Sequence, residues 1–135
     1  VNVKSIYNFA IAAVPAMAET GGAFVNIGST AGLRPRPGLV WYNGTKGAVH
    51  TISKAMAVEL APKKIRVNAI APGFFASEMT DQYQPGYLES LAPRMLLGRK
   101  GDPEELAATA VWLASRAGGY VVGQTIAVDG GLTIC

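Results

Sequence analysis

Sulfur, imidazole and charge are all scarce in this chain, and each scarcity removes a class of explanation. Cys135 is the only cysteine and the last of 135 residues. No intrachain disulfide and no thiolate cluster for zinc can form, and the terminal position argues against a nucleophile. That usage fits a reducing, cytoplasmic setting. His50 is the only histidine, with no metal constellation around it, and is expected to be a solvated or interface side chain. No stretch approaches the roughly 18 consecutive apolar residues of a membrane span, and the apolar N-terminal segment carries Lys4 and Asn8 at helical spacing. Charged residues are 16% of the total, and 12 basic against 9 acidic side chains leave a net charge of +3. They are scattered. The densest run, Lys63, Lys64 and Arg66, reads as a solvated turn before a strand, so neither a nucleic-acid nor a membrane partner is expected. An initiator methionine is also missing: the chain opens on Val1 within a helical pattern, which suggests further sequence upstream. There is no internal repeat and no low-complexity tract.

What is present is one core's worth of apolar material, 50% of residues, expected as one domain. Val3, Ile6, Tyr7, Ile11, Val14 and Met17 recur at three- and four-residue steps and predict a buried or half-buried helix over 3–18, stopped by Gly21 and Gly22. The run 23–29, AFVNIGS, reads as a short strand. A loop with two prolines and two glycines, TAGLRPRPGLV, delivers a helix over 40–61 that ends at Pro62. A second strand spans 65–73 and closes on Pro72-Gly73. The stretch 74–95 is irregular and partly helical near Tyr87 to Leu91, and an insertion of that length after a strand often covers a site. Its Met79, Tyr83, Tyr87 and Leu91 make a partly apolar cover, and the substrate cannot be read from them. Asp102 caps a helix with Pro103 in its first position and Glu104 and Glu105 in its first turn. Leu106, Ala110 and Leu113 mark that helix's buried face, and 123–131 reads as a third strand. Helix and strand alternate three times, and the strands are too apolar to face water, so a parallel sheet covered on both faces is predicted.

Within the 40–61 helix, Tyr42 and Lys46 stand four residues apart and share a face. A cation at roughly 6 Å in an effective dielectric of about 20 stabilises a phenolate by about 2.8 kcal/mol, enough to bring a phenol toward useful proton transfer at neutral pH. Spacing alone proves little, because Y-x-x-x-K arises by chance in a chain of this length about one time in five. Position adds weight. Ser29 closes the first strand, 13 residues before Tyr42, and Pro72-Gly73 closes the second, so all three features fall at the carboxyl ends of parallel strands, where open α/β sheets bind ligands.

Together with the tail GRKGDPEELAATAVWLAS…GQTIAVDGG, these motifs resemble the classical short-chain dehydrogenase/reductase family over essentially the whole chain, and within it the 3-oxoacyl-carrier-protein reductases. The resemblance implies an α/β, Rossmann-like doubly wound parallel sheet, here only its C-terminal half of about three strands, with residues 1–135 as one partial domain. It implies an oxidoreductase passing hydride between NADP or NAD, NADPH slightly ahead, and a carbonyl or secondary alcohol. By the same resemblance the catalytic residues are Asn2, Ser29, Tyr42 and Lys46. Tyr42 gives or takes the proton, Ser29 hydrogen-bonds the substrate oxygen, Lys46 steadies the phenolate and the nicotinamide ribose, and Asn2 anchors a relay water through its backbone. Pro72, Gly73, Phe75 and Ser77, with Tyr42 and Lys46, are the expected cofactor contacts. Trp41 is expected either to line the substrate pocket or to be buried in the core. In the family, helices equivalent to 3–18 and 40–61 pack against their copies, so a homodimer or homotetramer is expected.

The chain departs from that family in one respect. It has no T-G-x-x-x-G-x-G turn to hold the cofactor pyrophosphate, no N-N-A-G stretch, and no residue to select NAD from NADP. Weak cofactor affinity is therefore expected, along with an exposed apolar edge at the 23–29 strand. A catalytically silent fragment that persists by self-association or partner binding is the alternative reading.

Overall fold

The computed structural model describes residues 1–77 and 86–135, with the side chain of Leu88 also left aside; Met79 and Tyr83 of the expected cover lie outside these residues. Helix α1, Asn2–Met17, leads into strand β1, Gly22–Ile27. Helix α2, Val40–Leu60, precedes strand β2, Ile65–Pro72. A short helix α3, Tyr87–Leu91, and helix α4, Pro103–Ala114, lead to strand β3, Thr125–Val128. The three strands form one parallel sheet in the order β1-β2-β3, with Gly22 opposite Ile65 and Ile70 opposite Ile126. The predicted α/β sheet is the one observed.

Side chains alternate across a strand, and β2 sorts its residues accordingly. Ile65 and Val67 pack with Phe24 of β1 and Ala57 of α2, joined by Ala13, Val14 and Met17 of α1. Arg66 and Asn68 point to the opposite face. There Arg66 bonds the end of α4, and Asn68 bonds Val121 and Gln124 on the approach to β3. Helices α1 and α2 thus cover one face and α4 the other, and β2, the middle strand, carries the core. Leu113 is fully buried, as the spacing in α4 predicts, and that burial contributes about 1.5–3 kcal/mol.

Three features differ from expectation. Helix α1 is half-buried, through Val3, Ile6, Val14 and Met17, but two residues of its expected apolar face are not, Tyr7 being 65% and Ile11 58% exposed, because the sheet offers α1 only one side. Strand β3 is shorter than 123–131, because the Asp129 carboxylate accepts from Gly131 N, Thr133 N and Thr133 Oγ1 at 2.7–3.0 Å and curls the chain into a turn. Arg66 is no solvated turn residue. It donates to three backbone carbonyls, those of Leu113, Ser115 and Gly118.

Candidate active site

Strand β1 ends at Ile27, two residues before Ser29, which opens a single 3₁₀ turn over Thr30–Gly32. Ser29 is 7% exposed, and its Oγ accepts from Ala31 N at 3.1 Å. A hydroxyl has one proton to donate, and with an acceptor site of the oxygen spent on Ala31 that proton stays available to an oxygen in front of it. The proline-rich loop that follows is clamped to the first turn of α2 by Asn43: its Oδ1 accepts from Arg36 N and its Nδ2 donates to Arg36 O at 2.8 Å. This fixes the start of α2, and with it Tyr42. On the inner side, Asn26 of β1 donates to Ser53 Oγ of α2 at 2.9 Å and sets the helix against the strand.

A cleft of about 430 Å³ opens at the carboxyl ends of β1 and β2, and Ser29, Tyr42, Pro72, Gly73, Phe75 and Ser77 all line it. Six of the eight residues named from sequence are therefore brought together. Tyr42 is 38% exposed there, and among the described residues its phenolic oxygen has no hydrogen-bond partner. The Lys46 ammonium lies 5.9 Å from the Tyr42 ring centroid and donates to Ile27 O at 3.0 Å, which leaves it two further protons to donate. Asn2 stands behind the cleft: its Nδ2 donates to Thr45 Oγ1, which donates in turn to Tyr42 O. It thereby ties α1 to the turn that carries the Tyr–Lys pair. Gly73 donates its N–H to Val128 O, and a Cβ there would come within 2.7 Å of Asp129 Cα, so β3 packing alone requires a glycine. Phe75 is bridged to Gly101, just ahead of α4. Trp41 fits neither expectation: it is 87% exposed and lines no part of the cleft.

His50 is the residue that the sequence reading misplaced. It is 5% exposed, under the turn that holds Ser29, and its Nε2 accepts from Ser29 N at 3.4 Å. Gly28 and Gly32 make room for its ring, since a Cβ at either would collide with it. The proton of the neutral ring then sits on Nδ1, which has no partner of good hydrogen-bond geometry. Burial first, then the charges of Lys54 and Lys46, hold His50 below its ordinary value of 6.5 against a weaker pull from the Gly32 backbone. Helical spacing could have found it, because residues 42, 46 and 50 share one face of α2.

The sign of the pH effect follows from that direction. The unfolded chain protonates His50 more readily than the folded one, so this contribution to stability is complete above pH 6.5 and declines as pH falls through it. Thermal melts at pH 7.5 and 5.5 should show a smaller loss of Tm in His50→Gln than in the parent chain. Equal losses would mean that His50 is not the responsible group.

The fold is a Rossmann-type α/β unit with a cleft at its strand ends. The chain belongs to the short-chain dehydrogenase/reductase family: residues 1–133 match the family model described as enoyl-(acyl carrier protein) reductase. The 3-oxoacyl-(acyl-carrier-protein) reductase of Thermotoga maritima is 42% identical over 135 residues, 99% of this chain and 55% of that protein. Among solved structures, a gluconate 5-dehydrogenase from Burkholderia cenocepacia in complex with NADP and tartrate matches with a TM-score of 0.96 and 37% identity, over 100% of this chain and 54% of that one. A 3-ketoacyl-(acyl-carrier-protein) reductase from Brucella melitensis complexed with NADH matches with a TM-score of 0.90 and 34% identity, over 98% and 55%. The chain thus spans about half the length of the relatives it matches. Among the described residues no helix is long and apolar enough to cross a membrane, and no cluster of side chains could hold a metal ion.

Proposed function

We propose that this chain carries the proton-transfer side of an NAD(P)-dependent oxidoreductase that interconverts a carbonyl and a secondary alcohol. The observation that supports it best is the shared cleft of Ser29 and Tyr42, one with a hydroxyl proton to give and the other with a phenol unpartnered among the described residues. The nicotinamide half of the cofactor fits the residues present. Pro72, Phe75 and Leu106 offer apolar walls to a planar ring, Ser77 and the Gly73 backbone border them, and Lys46 has ammonium protons to spare for ribose hydroxyls. The bound nicotinamide supplies the hydride. Ser29 donates a hydrogen bond to the substrate oxygen and holds it beside Tyr42. Tyr42 protonates that oxygen in reduction and takes the proton back in oxidation. Asn2 steadies the Tyr–Lys turn through Thr45 and offers its backbone to the proton relay.

Saturation-transfer NMR on the chain with NADPH or NADH tests the cofactor assignment. Saturation should reach the nicotinamide protons and leave the adenine protons untouched, and the effect should weaken in Phe75→Ala. Transfer to adenine alone, or to neither ring, counts against the assignment.

A second reading, a catalytically silent chain that associates with its own copies, is favoured by one observation. Helices α1 and α2 enclose an open apolar groove of about 730 Å³ lined by Val3, Ile6, Ile11, Ile52 and Met56. A second copy of this chain, packed helix to helix, suits such a surface. Sedimentation of the same samples separates the readings: dimers without nicotinamide contact support the silent form, and dimers with it support the enzyme.

A further inference from the structure

A second cleft of about 430 Å³ adjoins the first, and the two share Arg36 and Phe74. Three arginines line it, Arg34, Arg36 and Arg94, alongside the hydroxyls of Thr30, Ser90 and Thr133. Among the described residues no aspartate or glutamate does. Among the described residues none of the three guanidiniums has a carboxylate partner, whereas Arg99 on the same chain is paired with Glu105. Arginines gathered in a concavity repel one another, and a bound anion would relieve that repulsion.

Arg36 is held in place from several sides. Its Nη2 donates to Thr30 Oγ1 at 2.9 Å, its guanidinium lies 4.5 Å over the Phe74 ring, and Asn43 binds its backbone on both sides. Arg34 reaches Leu132 O at 3.3 Å, and Arg94 extends from the turn after α3 with no bond of its own among the described residues. The result is one fixed fork and two adjustable ones around a space next to the Ser29 and Tyr42 hydroxyls. Guanidinium forks suit planar or tetrahedral oxyanions, and a preorganised fork loses little freedom on binding.

We propose that the substrate is a carbonyl or alcohol compound bearing an anionic group, a carboxylate, sulfonate or phosphate, which Arg34, Arg36 and Arg94 bind while the reacting carbon faces Ser29 and Tyr42. This rests on the oxidoreductase reading above, and the test keeps the two separable. For the protein, kcat/KM is measured for oxo acids and phosphate esters of keto sugars against matched neutral compounds, such as the methyl ester of the same oxo acid. In parallel, succinate and its neutral diamide are titrated into the chain and followed by NMR of the arginine side chains.

The ratio of kcat/KM for acid over ester should be well above one. It should fall about 10- to 100-fold in Arg36→Met, the range for losing a hydrogen bond to a charged group, mainly through KM, and by a smaller factor in Arg94→Met, a surface change that leaves the fold intact. Whether the carboxylic or the phosphate series responds more identifies the anion. A ratio near one that neither variant changes overturns the anionic-substrate proposal and leaves the oxidoreductase reading standing. Saturable succinate binding, lost in Arg36→Met, with no turnover of any compound keeps the anion site and removes the oxidoreductase reading. No turnover and no succinate binding removes both.

Discussion

Replacing Tyr42 with phenylalanine should lower the carbonyl reduction proposed for this cleft by at least about a hundredfold, the lower end of what a positioned general acid contributes. The change removes one oxygen. That oxygen makes no hydrogen bond among the described residues, and the ring lies at the mouth of an open cleft, so the variant should melt at the parent temperature. The loss should fall on kcat, with KM changing little, because the phenol acts when the substrate oxygen gains charge and contributes little to ground-state binding. Ser29→Ala should behave in the same direction, but it also takes the acceptor from Ala31 N in a buried turn and so should lose some stability as well. Steady-state kinetics with matched thermal melts separate the two. Undiminished turnover in Tyr42→Phe would exclude Tyr42 as the proton donor and, with it, the oxidoreductase assignment of the cleft.

Much of the candidate site is legible in the sequence, and the reasons are local. Parallel strands must be joined by crossovers, so the carboxyl ends of β1 and β2 had to lie side by side, and whatever followed each strand had to meet there. That rule alone brings Ser29 to Pro72 and Gly73, and helical periodicity sets Lys46 behind Tyr42. Asp102, Pro103 and Glu105 announced α4, and Glu105 does close back on Asp102 N at 2.8 Å.

What escaped depends on contacts between residues far apart in the chain. His50 is buried because two glycines, 18 and 22 positions earlier, leave a hollow under the Ser29 turn; helical spacing sets it on the face of Tyr42 and Lys46, but only the fold brings that hollow over it. The arginine cleft joins a proline-rich loop to a turn about sixty residues later, so its charge density appears only once α3 folds back over the strand ends. A pocket or core place is the expectation for Trp41, since tryptophan is rarely left in water, yet in the first turn of α2 it is 87% exposed. Exposed apolar residues there and on α1 are what a further packed copy or segment would cover.

Arg66 is where the sequence reading and the structure differ most in energy, and the test is a stability measurement. The last carbonyls of a helix have no partner within it. At the end of α4 they are met by a guanidinium from the neighbouring strand, whose Nη1 donates to Leu113 O at 2.8 Å and whose Nη2 donates to Ser115 O at 3.1 Å, while Nη1 also reaches Gly118 O at 2.9 Å in the 3₁₀ turn that follows. The cation also lies at the negative end of the helix dipole. Arg66→Met keeps the aliphatic stem and removes all three donors, leaving the carbonyls of a fully buried Leu113 and of Ser115 without the guanidinium, while Gly118 O keeps Val121 N. We expect a loss of about 2–4 kcal/mol, from charged hydrogen bonds in a partly buried place, read as a lower urea midpoint at an unchanged slope. Arg66→Lys should recover only part, since an ammonium cannot span three carbonyls in one plane. Arg99→Met is the contrast: its ion pair with Glu105 is about half exposed, and its midpoint should hardly move. The effect should also reach the cleft, because α4 supplies Leu106 to its wall and β3 holds Gly73 through Val128. An Arg66→Met chain no less stable than Arg99→Met would mean that the three carbonyls are satisfied by water, and that the clamp between β2 and α4 carries no weight.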